Sequence, residues 1–99
     1  MKVIAREKTE NCFDGNFEFK YTFDTMWTKE AIQALGTFGR LKYYESFPKP
    51  MFQLTCPDGN HIKGVQGTYE CRIIFNRDIP DEAAKQFEKR LEETINSYA

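Results

Sequence analysis

Residues 41–76, LKYYESFPKPMFQLTCPDGNHIKGVQGTYECRIIFN, take up over a third of the 99-residue chain, and how they fold decides the architecture. They read as one long β-hairpin. Its turn is Pro57-Asp58-Gly59, a type I turn closed by a left-handed glycine. In the second arm Tyr69, Cys71, Ile73 and Phe75 alternate with Glu70, Arg72, Ile74 and Asn76, the period-two pattern of a strand with one buried face. Pairing outward from the turn places Leu54 opposite His61. A one-residue slip nearer the base matches Leu41 with Phe75, Tyr43 with Ile73 and Phe47 with Tyr69, which keeps apolar side chains on one face. A bulge is therefore expected where Pro48 and Pro50 face Gly64 and Gly67.

Upstream of this stretch, residues 17–24 alternate strictly, with Phe17, Phe19, Tyr21 and Phe23 on one side and Glu18, Lys20, Thr22 and Asp24 on the other. Residues 1–9 are a less regular partner strand, joined to it through the turn dipeptide Asp14-Gly15. Trp27, Ala31, Ile32, Leu35 and Phe38 recur at helical spacing and predict a helix over residues 26–37. Thr25 or Thr28 caps it, and Gly36 and Gly39 stop it. Downstream, Pro80 with Asp78, Asp81 and Glu82 suits a helix start, and Ala84, Phe87, Leu91, Ile95 and Tyr98 form the apolar stripe that follows.

The order β-β-α-β-β-α predicts an α+β two-layer sandwich over a single domain, residues 1–99. Its sheet has four antiparallel strands in the order 1-2-4-3, with both helices on one face. This arrangement resembles a ferredoxin-like sandwich whose last strand has moved to the front, a likeness of architecture that carries no function. Each hairpin arm has about sixteen residues against about eight in the central strand, a surplus on the order of 20–25 Å. The tip, residues 50–66, is therefore expected to project or to curl over the helices.

Composition narrows the function classes. Fourteen basic and fifteen acidic residues give a net charge of −1, with no basic run along the chain, so a nucleic-acid partner is not expected. No run of apolar residues is long enough to span a bilayer, and no apolar leader follows Met1, so no membrane partner is expected. Three cysteines, Cys12, Cys56 and Cys71, read as reduced thiols of a cytoplasmic protein.

No catalytic set, cofactor motif or metal motif is proposed by spacing. Cys56 and His61 flank a turn, but no second pair of ligands accompanies them, and His61 is the only histidine. Lys63-Gly64-Val65-Gln66-Gly67 resembles the glycine loop of acylphosphatases. There the arginine lies four residues after the last glycine and opens a helix; Arg72 comes five after Gly67, within a strand pattern, so no role is carried over.

Two surfaces remain. Met51, Phe52, Leu54, Ile62 and Val65 put more apolar surface on the tip than an isolated ribbon keeps in water, which points to an interface with a protein partner or a second copy in a homodimer. A non-enzymatic protein-binding module is the leading reading. The alternative is a small-molecule-binding protein or minor enzyme, with a pocket near Tyr44, Phe47, Arg72 and Trp27 between hairpin and helices.

Overall fold

The structure, a computed structural model, describes residues 1–8, 17–75 and 80–98. Six strands form one antiparallel sheet: β1 (Val3–Lys8), β2 (Phe17–Phe23), β3 (Arg40–Tyr44), β4 (Met51–Thr55), β5 (His61–Val65) and β6 (Glu70–Phe75). Their lateral order is β1-β2-β6-β5-β4-β3. A short helix, α1 (Lys29–Ala34), runs into a 3-10 turn at Leu35–Thr37, and a long helix, α2 (Asp81–Tyr98), ends the chain. The expected Asp14-Gly15 turn, Cys12, Asp78 and the Tyr98 side chain lie outside the described residues and side chains.

The four-stranded sheet in the order 1-2-4-3 is not what forms. Each arm of the expected hairpin breaks in its middle, so residues 41–76 make a four-stranded meander in place of two long strands. The first break is the turn between β3 and β4, which holds Pro48 and Pro50. Two residues lacking an N–H so close together cannot continue a ladder. The second break lies between β5 and β6, where Gly67 sits at φ 86°, a conformation open to glycine and costly for other residues. Trp27 locks that turn: its N–H donates to the Thr68 carbonyl (2.9 Å) and its carbonyl accepts from Gly67 (2.9 Å).

The surplus length thus becomes two further strands and no projecting tip, and the molecule measures 32 × 26 × 24 Å. The expected bulge is absent, since β4 and β5 pair without interruption from Met51↔Val65 to Thr55↔His61. Leu54 faces Ile62, one residue from its expected partner. Leu41 and Tyr43 pair with Leu54 and Phe52, while Ile73 and Phe75 pair with Phe19 and Phe17.

Several elements form where the residue pattern places them. β1 and β2 make an antiparallel hairpin, β2 lies against β6, and all neighbours are antiparallel. Gly59 closes the Pro57-Asp58 turn at φ 91°, with its N–H donating to the Cys56 carbonyl at 3.0 Å. Thr28 caps α1, its Oγ1 accepting from the Ala31 N–H at 3.1 Å. Gly39 meets β4 closely: a Cβ there would lie 2.5 Å from the Thr55 carbonyl oxygen.

Both helices lie on one side of the sheet, around one hydrophobic cluster. Tyr21, Phe23, Phe52, Leu54, Ile62, Ile73 and Phe75 come from the strands; Trp27, Ile32, Leu35, Phe87, Leu91 and Ile95 come from the segments above. Trp27 fills the centre, 4.7 Å from the Phe52 ring and 5.3 Å from the Phe23 ring, centroid to centroid. Phe87 of α2 meets Phe75 edge-on at 5.3 Å. Arg6 at the rim joins α2 through Asp81 (3.0 Å) and Glu88 (3.9 Å).

Candidate functional site

Covering one sheet face with both helices leaves the other open. Side chains alternate across a strand, so the pairing register fixes which residues share that open face. On β3 they are Arg40, Lys42 and Tyr44; on β4, Met51, Gln53 and Thr55; on β5, His61, Lys63 and Val65. β6 adds Glu70, Arg72 and Ile74, β2 adds Glu18, Lys20 and Thr22, and β1 adds Ala5 and Glu7, the latter directly beside Lys20.

The middle row of this face is cationic. Lys20 pairs laterally with Arg72, Arg72 with Lys63, Lys63 with Gln53, and Gln53 with Lys42. Strands lie ~4.8 Å apart, so the row runs about 19 Å from Lys20 to Lys42. Three of its cations, Lys20, Arg72 and Lys63, stand directly side by side, and like charges opposite one another are destabilising. Two have diagonal acids: Lys20 meets Glu70 at 2.9 Å, and Arg72 meets Glu18 at 3.1 Å. The Glu70 carboxylate raises the Lys20 pKa. Lys63, Lys42 and Arg40 have no carboxylate partner among the described residues. The open side of β3, β4 and β5 carries no acidic residue at all.

A concavity of about 320 Å³ opens in this face. Lys20, Lys63, Arg72 and Glu70 line it, with Met51 and Val65 at its apolar end. Beyond Met51, at the corner of the sheet, Tyr44 and Phe47 are 38% and 50% exposed, with ring centroids 6.0 Å apart. His61 lies on the same face, its Nδ1 3.4 Å from the Thr55 hydroxyl.

The residues singled out from the sequence divide between the two faces. Phe52, Leu54 and Ile62 are fully buried under the helices and have no surface to offer a partner. Met51 and Val65 point the other way, to the rim of the concavity. Tyr44, Phe47 and Arg72 share the open side, whereas Trp27 is 1% exposed in the core. The space between sheet and helices at Trp27 is occupied by its own packing against Phe23 and Phe52.

The chemistry near the core is quiet. Cys56 and Cys71 are free and buried. Burial, then the nearby Asp58 carboxylate, push the Cys56 thiol up to about 11, and burial raises Cys71 as well. At neutral pH both are thiols, not thiolate nucleophiles. Among the described residues no three His, Cys, Asp or Glu side chains gather at metal-binding distance, and no helix is long and apolar enough to cross a membrane.

The cationic row itself has no signature along the chain. Lys20, Lys42, Lys63 and Arg72 come from four strands, each flanked by acids or neutral residues in sequence. The only legible signal was their shared parity: each sits on the polar side of a period-two pattern. Comparison with protein-family models, with curated proteins and with solved structures finds no significant match.

Proposed function

We propose that the chain is a small non-enzymatic binding module, and that its working surface is the helix-free face of the sheet. One observation carries this reading: the open side of β3, β4 and β5 presents Arg40, Lys42 and Lys63 with no acidic residue on those strands, beside Lys20 and Arg72, which Glu70, Glu7 and Glu18 balance. Packing gains nothing from such cations, because among the described residues both helices pack on the opposite face. Side chains placed against the local rules are expected where function requires them. An anionic partner seated on the row would relieve the repulsion that the free protein carries.

A second copy of the chain is a poor occupant of this face. Two such surfaces brought together would oppose cation to cation. The partner is therefore a different molecule of acidic character.

The test is an amide chemical-shift titration against three polyanions: a single-stranded oligonucleotide, a poly-glutamate peptide and a sulfated oligosaccharide. The expected result is saturable shifts confined to β3, β4, β5 and β6, lost in Lys63→Glu. If none of the three moves those amides at low salt, the proposal falls.

A further inference from the structure

We infer that the acidic partner is single-stranded nucleic acid, whose backbone crosses the open face and whose bases stack at the Tyr44–Phe47 corner. This rests on the reading of the open face as the binding surface, and goes beyond it by naming the ligand.

Charge complementarity is the first argument. The outer side of β3, β4 and β5 offers Arg40, Lys42 and Lys63, all without acidic partners among the described residues, and no carboxylate of its own. The net charge of −1 conceals this because the acids lie off those three strands: Glu7, Glu18 and Glu70 sit toward the β1–β2–β6 end of the same face, and others on the helix layer. On the helix layer, α2 alone holds Asp81, Glu82, Glu88, Glu92 and Glu93 against Lys85, Lys89 and Arg90. The β3–β5 part of the open face is therefore basic, while α2 on the opposite layer is acidic.

The second argument separates nucleic acid from an acidic peptide. Surfaces that hold single strands join a basic track to aromatic side chains on which bases stack. Here both parts are continuous. Lys42 and Tyr44 project from the same side of β3, two residues apart, and Phe47 lies beside Tyr44. Between the cations stand Gln53, Thr55 and His61, which offer hydrogen bonds without fixed charge. A uniformly acidic peptide would use the cations and leave the exposed aromatic pair without a role.

Geometry disfavours a duplex. Reading double-stranded DNA in the major groove takes a helix or a two-stranded ribbon that can enter it. Among the described residues the open face is a broad sheet with no helix or ribbon standing off it, suited to a strand whose bases are already unstacked.

The experiment is fluorescence anisotropy with a labelled oligo-dT of twelve nucleotides and the full-length protein, between 50 and 200 mM salt. Single strands lose affinity with a log–log slope of about −0.7 per phosphate neutralised. Three free cations predict a slope of about −2, or roughly a sixteenfold loss across that range. Lys63→Gln should weaken binding and make the slope shallower by about 0.7. Tyr44→Ala should weaken it by about five- to a hundredfold and leave the slope unchanged. A hairpin duplex of equal charge should bind more weakly than the single strand.

Two results would overturn the inference, and they differ. If poly-glutamate of equal charge binds as well as oligo-dT and Tyr44→Ala has no effect, the partner is an acidic protein and only the ligand assignment falls. If neither polymer binds at 50 mM salt, the open-face reading falls too. The buried Trp27, the sole tryptophan, reports by its emission whether each variant remains folded.

Discussion

Phe52 and Met51 are sequence neighbours with opposite surroundings. Phe52 is fully buried, its ring tilted against Trp27, while Met51 is 41% exposed on the open face. Phe52→Ala should cost about 3–5 kcal/mol by leaving a cavity in the core. Met51→Ala should stay within about 0.5 kcal/mol, as surface changes do. Urea unfolding followed by tryptophan emission measures both; a mild Phe52→Ala would mean that its ring is not in the core. Gly64 depends on the same ring. A Cβ at Gly64 would lie 2.5 Å from Phe52 Cζ, and that ring is fully buried and already packed against Trp27 at 4.7 Å between centroids. Gly64→Ala should therefore destabilise by about 1–3 kcal/mol despite adding only a methyl group. Phe52→Leu in the same chain should recover part of that loss, and additive penalties in the double variant would show that the two positions do not collide.

At the scale of strands, the cationic row makes a prediction opposite in sign to the usual effect of mutation. Lys63 faces Arg72 across the β5–β6 ladder and has no acidic partner among the described residues. Lys63→Gln removes a like-charge contact and should stabilise the protein by a few tenths of a kcal/mol. Higher salt should shrink the gain, since screening already weakens the repulsion in the parent. A salt-independent gain would point to some cause other than charge. The strand pattern also explains what could be read from the chain. β2, β6 and α2 were legible because each has one buried face, and burial writes a period into the residues. The two extra turns were not. Pro48, Pro50, Gly64 and Gly67 are as suitable for a bulge as for a turn, and local propensity does not distinguish them. The choice is made by where Phe52, Leu54 and Ile62 can be buried. A meander turns all three toward the helices, whereas a long ribbon leaves them in water. The site was harder still, because a lateral row exists only once strand order and register are set.

For the molecule as a whole, protons held by the core set an alkaline limit to stability. Burial, then Asp58, push the Cys56 thiol up to about 11 from its ordinary 9.0; burial likewise raises Cys71, and burial with the Glu88 charge raises Tyr21. All three groups are neutral when protonated, so the folded state keeps protons that an unfolded chain releases earlier. Where the unfolded state binds fewer protons, unfolding becomes more favourable as pH rises. The stabilisation is complete below about pH 9, and is lost progressively as pH climbs from the thiols' ordinary 9.0 through the raised values. Surface ion pairs do not set this limit: Lys20–Glu70 and Arg72–Glu18 are solvent-facing, and such pairs contribute little. Melting temperatures between pH 7 and 11 should hold steady to about 9 and then fall. The double variant Cys56→Ala/Cys71→Ala, lower in stability at neutral pH, should fall less steeply above 9 because, among the described residues, two of the three groups raised by burial are gone and Tyr21 is left. A parent profile flat from pH 8 to 10.5 would mean that water reaches these groups, and with it that the layer between sheet and helices is less tightly closed than Trp27 and Phe52 make it.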